Sequence, residues 1–393
     1  MHKCKIYFLF LFLIGIEMIG CVPSGSLAKV GEQDYFLEKD EEKIWKLCIE
    51  EEQKLDESGF VYGDTIATKY LNDILFSLLP QNIKKSKIRF QVVLLKNPML
   101  NAFAFPNGKM YVHTGILAKA ENEAQVAALL GHEVNHVILR HTLKQFRSAK
   151  NTSNALAVVG VLAIPFGIYG ALVSLLGEVG AVAAITGYSR DAEREADLKG
   201  FEYMIAAGYD PREAPKLFEH LKKDIEEQKI DEPFFFGSHP KLKERIESYN
   251  ELLAKRYRSD SGLVRSYEYR IAMNRLILLN ADIDLQAGRY NSSHKCIERI
   301  LRNDSTNSQA HYLAAEALRQ QGLREDQDKA IAEYQSAIQC DSTHACAYRG
   351  LGLIALKKKD KSVAQQCFKK YVVLLPQASD RKYIEQYLKQ LEE

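Results

Sequence analysis

The run His132-Glu133-Val134-Asn135-His136 carries the side chains best suited to chemistry. The apolar positions Val126, Leu129, Leu130, Val134, Val137 and Ile138 recur at helical spacing around it. On a helix, two histidines four residues apart share one face, one turn apart. Such a pair can bind one Zn2+ through ring nitrogens at about 2.0–2.1 Å. Glu133 sits beside the first histidine, where its carboxylate can reach a water at the metal without displacing a ligand. That is the place of a general base in metal-assisted hydrolysis. The other reading of the segment alone is a structural helix with solvated histidines.

A catalytic zinc usually has three protein ligands and one open position, so a third donor must come from another element. The segment Ser189-Arg190-Asp191-Ala192-Glu193-Arg194-Glu195-Ala196-Asp197 is the best candidate. Glu193 and Asp197 share a helix face, and Glu195 is rotated by about 200° and is expected to face solvent. Glu193 would hold the metal. Asp197 would accept the free N–H of a ligand histidine and fix its tautomer. Arg190 is a candidate partner for a nearby carboxylate.

The elements that must position these groups follow from periodicity and turn residues. Residues 40–82 are predicted helical, Ile88–Leu95 a strand, and Ala102–Phe105 and Met110–His113 a hairpin around Pro106-Asn107-Gly108. One long helix is predicted from Glu121 to Phe146, a second from Ser189 to Ala207, and further helices from Pro211 and over Lys241–Tyr257, with a loop at Phe234–Pro240. The strand Lys109–His113 is expected to add to an extended substrate. Between the two motifs, residues 154–188 hold one charge, Glu178. A single crossing would separate two motifs that must meet, and two crossings need about 40 apolar residues plus a turn. The stretch therefore reads as a hydrophobic hairpin or helical plate, packed over the active site or dipping into a bilayer, or as a buried core segment.

Asn101-Ala102-Phe103-Ala104, Gly108, Gly115-Ile116-Leu117, Glu123-Ala124, the His132–His136 motif and the Ser189–Asp197 motif together resemble the zinc peptidase family of HtpX, Oma-type and CAAX prenyl proteases. The resemblance covers about residues 40–255. It implies His132, His136 and Glu193 as ligands of one Zn2+ and Glu133 as general base. Ser238-His239-Pro240, followed by Arg245-Ile246, is similar to a further segment of these proteases. It implies His239 near the metal, as a fourth ligand at rest or as a donor to the oxyanion.

The ends of the chain extend this picture. Lys3 and Lys5 precede an apolar run over Ile6–Gly20, which suits a signal peptide and is too short for a comfortable span. Gly20-Cys21 resembles a bacterial lipobox, with Met18 and Ile19 departing from the usual residues and Glu17 unusual in an apolar run. Cys21 is the expected lipidation site, against ordinary signal cleavage or an uncleaved anchor. Residues 21–40 read as a lipidated tether and 41–258 as the metallopeptidase domain. Residues 259–273 read as a connecting helix. From Asn274 a 34-residue repeat emerges, clearest over Ala345–Ala378, where Tyr348, Leu351-Gly352, Ala364, Phe368 and Pro376 take tetratricopeptide (TPR) positions. The tail 379–393 reads as a capping helix.

The fold expected is mainly α: a zincin-like α+β metalloprotease domain with a small sheet, then an α-solenoid of TPR repeats. With the lipobox and repeats, the resemblance is strongest to BepA-type periplasmic proteases. It implies a periplasmic chain, lipid-anchored at the outer membrane, that acts on unfolded or misassembled envelope proteins and meets outer-membrane assembly machinery through its repeats. A scaffold or chaperone with a vestigial zinc site is the alternative, as is a membrane-embedded peptidase. The formal net charge of +2, with both signs interleaved, gives no reason to propose a nucleic-acid surface. Five cysteines remain beyond Cys4 and Cys21: Cys48, Cys296, Cys340, Cys346 and Cys367. They could brace the C-terminal third with a disulfide or stay buried thiols.

Overall fold

The computed structural model describes residues 27–150, 188–228, 242–257, 261–322 and 326–392. The apolar stretch 154–187, Cys21 with the signal segment, and His239 lie outside these residues. Among the described residues, no helix is long and apolar enough to cross a membrane.

The chain is mainly helical with one small sheet. Helix α1 (Lys39–Glu57) and helix α2 (Thr65–Leu78) flank strands β1 (Gln91–Leu95), β2 (Ala102–Ala104) and β3 (Lys109–His113), with the short helix α3 (Gln81–Lys84) between. The strand order is β1-β3-β2, with β1 parallel and β2 antiparallel to β3. Alternation along the strands separates two cores. Val92, Leu94, Met110 and Val112 pack in the main core with α2. Leu95, Phe103, Phe105 and Tyr111 face Ile44, Cys48 and Leu55 of α1. The predicted hairpin is present: Gly108 at φ +101° closes it, where a Cβ would come within 2.5 Å of Ile88.

The topology overturns one expectation. β3 is the central strand, paired on both edges, so it cannot add to a substrate. The outer edge of β1 is also taken: Tyr62 N–H donates to Leu94 C=O at 2.9 Å, and the Asn72 side chain pairs with Val92. Phe105 N–H donates to Lys109 C=O and His113 N–H to Asn101 C=O. Antiparallel alternation then directs Phe103 toward β3 and turns the backbone groups of Ala102 and Ala104 to the outer edge.

After the short helix α4 (Thr114–Lys119) comes α5 (Glu123–Ile138), buried along its whole length. Asn122 caps it by accepting from Gln125 N–H at 3.0 Å. The single long helix predicted to Phe146 is broken. Arg140 takes the left-handed conformation at φ 56°, and α6 (His141–Lys150) leaves in a new direction. Tertiary bonds hold that break. The buried Arg140 guanidinium meets Glu41, donates to Ala28 C=O at 3.0 Å and Phe36 C=O at 3.3 Å, and covers the Tyr35 ring. Residues 27–38 are accordingly seated on the fold: Val30 is buried, and its N–H donates to Ile138 C=O at 3.0 Å.

Helix α7 (Arg190–Ala206) lies against α5, followed by α8 (Glu213–Gln228) and α9 (Leu242–Lys255). The helices that follow among the described residues are α10 (Ser266–Gln286), α11 (Tyr290–Asn303), α12 (Ser308–Gln321), α13 (Gln327–Cys340), α14 (Ala345–Lys357), α15 (Lys361–Leu374) and α16 (Arg381–Glu392). Each packs on the next. Close approach is built in: a Cβ at Gly350 would meet Tyr334 at 2.2 Å and one at Gly352 would meet Phe368 at 2.5 Å. Residues expected as a connecting helix and residues expected to open a first repeat fall on one helix, α10, which shares the main core with α2 and α5. Tyr269 Oη donates to Leu117 C=O at 2.7 Å, and Arg299 donates to Ala118 C=O at 3.0 Å. The five described cysteines are free thiols, so the disulfide alternative falls away for them.

α5 and α7 meet backbone to backbone at Gly131 and Gly200. A Cβ on Gly200 would lie 2.7 Å from both Gly131 C and His132 N, backbone atoms that cannot swing aside. Gly200→Ala is predicted to destabilise the fold by about 1–3 kcal/mol or more through overpacking. Gly63→Ala, which meets nothing within 4 Å, is predicted to be close to neutral. Chemical denaturation of both variants checks this, and equal midpoints would contradict it.

Candidate metal centre

The contact of Gly131 with Gly200 sets α5 beside α7 at backbone distance, and the candidate residues face one another across it. His132, His136 and Glu193 are fully buried, each offering a ligand atom within 4.8 Å of the others. The His132 and His136 Nε2 atoms are 3.0 Å apart. Glu193 Oε2 is 3.4 Å from His132 Nε2, and its Oε1 is 3.7 Å from His136 Nε2. A tetrahedral ion with bonds of 2.0–2.1 Å has ligand–ligand edges of about 3.3–3.4 Å. The three observed separations, the two to Glu193 made by different carboxylate oxygens, lie around that value. Two imidazoles and a carboxylate are the donor types of a catalytic zinc, so the residues present fit such an ion. Glu133 is 2% exposed and follows His132 in the same turn.

Each histidine is oriented from behind by a different device. His132 Nδ1 lies 2.8 Å from Asp197 Oδ1. Asp197 also accepts from Arg245 at 2.5 Å and from Tyr249 Oη at 2.7 Å. The Arg245 guanidinium is fully buried and sits 4.1 Å over the Phe218 ring. Burial pushes the Asp197 carboxyl up, but Arg245 and His132 outweigh it and leave it below the usual range. Burial and Arg245 both oppose charge on His132, yet Asp197 and Glu193 prevail and raise it to about 9. A metal ion taken up at His132 Nε2 would compete with a proton there.

His136 stacks on the Tyr188 ring at 3.9 Å, and its Nδ1 meets His141 Nδ1 at 3.0 Å. His141 Nε2 lies 3.4 Å from Glu195 Oε2, and Lys29 Nζ holds Glu195 Oε1 at 3.2 Å. Burial holds His141 down at about 4, with Glu195 opposing. Glu195 is thus half-shielded and partnered, where rotation about the helix axis predicts solvent. The cause is the N-terminal segment folding back beside α7.

Arg190 is exposed and makes no ion pair among the described residues. Asp197 is served instead by Arg245 from α9, about fifty residues on, which in the sequence stands out only within the segment after Ser238-His239-Pro240. His141 gave no signal of its own. Five residues past His136 on a continuous helix, it would point about 140° away. Only the break at Arg140 returns it to the site.

The profile of Peptidase family M48 matches residues 66–253, a span holding both motifs. The mitochondrial metalloendopeptidase OMA1 of Arabidopsis thaliana is 33% identical over 159 residues, 40% of this chain and 30% of that protein. A beta-barrel assembly-enhancing protease of Yersinia pestis is 30% identical over 165 residues, 40% of this chain and 33% of that protein. The chain therefore spans about a third of the length of these two relatives. The metalloprotease LoiP of Escherichia coli is 32% identical over 178 residues, 45% of this chain and 67% of that protein. With two thirds of that metalloprotease covered at this identity, and a profile match that spans α5 through α9, the chain belongs to peptidase family M48.

Proposed function

We propose that the chain is a zinc-dependent metalloendopeptidase acting on unfolded or misassembled proteins of the bacterial cell envelope. The observation that carries this reading is the convergence of three buried donor atoms, from His132, His136 and Glu193, beside the buried carboxylate of Glu133. Zinc bound there would polarise the scissile carbonyl and acidify a water. Glu133 would take the proton of the attacking water and pass it to the leaving amine. Asp197, backed by Arg245 and Tyr249, would hold His132 in the tautomer that presents Nε2. His239 is proposed as a donor to the developing oxyanion or a resting ligand.

Family membership and the metalloprotease names of the relatives support the activity. The beta-barrel assembly-enhancing protease among them supports an envelope role. Export through the N-terminal segment and lipidation at Cys21 belong to the same reading, with anchoring at the outer membrane. The helix pairs from α10 to α15, closed by α16, support a TPR array whose surface would take a protein partner such as outer-membrane assembly machinery. Residues 154–188 are proposed as a further membrane contact. An extended substrate would add at the outer edge of β2, through the backbone of Ala102 and Ala104.

Two outcomes check the chemistry. Glu133→Gln is predicted to lower cleavage of an unfolded protein by about 100-fold or more, on the scale of lost general-base catalysis, while zinc content stays at the wild-type level. A chelator is predicted to abolish cleavage by the wild type, with activity returning on added zinc. Proteolysis assays with metal analysis read both, and equal activity of wild type and Glu133→Gln would remove the peptidase reading.

A further inference from the structure

With a metal ion on His136 Nε2, the chain Lys29–Glu195–His141–His136 has one consistent assignment of protons. His136 presents Nε2 toward His132 and Glu193. A neutral imidazole that ligates through Nε2 carries its proton on Nδ1. That N–H points at His141 Nδ1, 3.0 Å away, which must then accept. His141 in turn carries its proton on Nε2, facing Glu195 Oε2 at 3.4 Å. Lys29 Nζ fixes the other oxygen of that carboxylate at 3.2 Å.

We infer that His141 is a positioning residue for the metal centre: its Nδ1 accepts the Nδ1–H of His136 and fixes that ligand's tautomer and ring plane. Glu195 and Lys29 orient His141 in the same way, so a residue of the N-terminal segment ends the relay. His132 is held by a carboxylate directly, whereas His136 is held by an imidazole with the carboxylate one step behind. Tyr188 stacks on the face of the His136 ring, and His141 meets its Nδ1. This inference rests on the proposed zinc site and adds to it the group that sets one ligand.

The test compares two side chains of like polarity. In His141→Asn the amide oxygen falls where Nδ1 stood and can accept. In His141→Gln the chain is longer and the amide falls where Nε2 stood. Full-length wild type and both variants are loaded with Co2+ and Zn2+ in competition with a chromogenic chelator, and folding is followed by circular dichroism. His141→Gln is predicted to weaken metal binding by about 10–100-fold, the range for lost outer partners of ligand histidines, and to shift the visible Co2+ bands. His141→Asn is predicted to keep both near wild type. Glu195→Gln, farther out, should show a smaller loss of the same sign. Equal affinity and spectra in all forms, or equal losses in His141→Asn and His141→Gln, would overturn the inference while leaving the zinc site standing. A wild type that takes up no metal removes the site itself, and this inference with it.

Discussion

Everything at the centre depends on two backbones touching without side chains between them. Gly131 and Gly200 let α5 and α7 approach until Gly131 C=O and the next peptide lie where a Cβ would have stood. From that spacing, two one-turn steps do the rest. His132 and His136 project from α5, and Glu193 and Asp197 project from α7, so four side chains meet in register. A wider separation would leave the carboxylate of Glu193 short of both imidazoles. Small residues at a helix crossing therefore act here as a geometric condition for chemistry.

Around that condition the protein buries charge that must be satisfied. Asp197, Arg245 and Glu193 are shielded from water, and such charges are tolerated only when paired and hydrogen-bonded. Arg245 gives Asp197 that partner and covers an aromatic face. On the other side Arg140 does similar service, tying α5's end to Glu41 and to the N-terminal segment. The centre is thus braced from α9 on one flank and from residues 27–41 on the other. α10 extends the same core into the later helices, so they are continuous with the domain that carries the site.

The α5 and α7 motifs were legible because helical period alone puts their residues on shared faces. The hairpin was legible from Pro106-Asn107-Gly108, and the later helices from the small and apolar residues recurring after Asn274. What escaped the sequence was tertiary in origin. Nothing local in Leu139-Arg140 ends a helix; the left-handed Arg140 is held by Glu41 and carbonyls about a hundred residues away. His141 and Glu195 depend on that break and on the returning N-terminal segment, so their roles could not be read from spacing. The strand expected to meet substrate proved central because β1 pairs with it in parallel, a contact that hairpin logic does not reveal.

The most direct measurement is an anomalous-scattering map of zinc-loaded crystals, recorded on both sides of the zinc edge. The account predicts one peak about 2.0–2.1 Å from the Nε2 atoms of His132 and His136 and from a Glu193 oxygen. A peak bound elsewhere, or none after saturation with zinc, would contradict it.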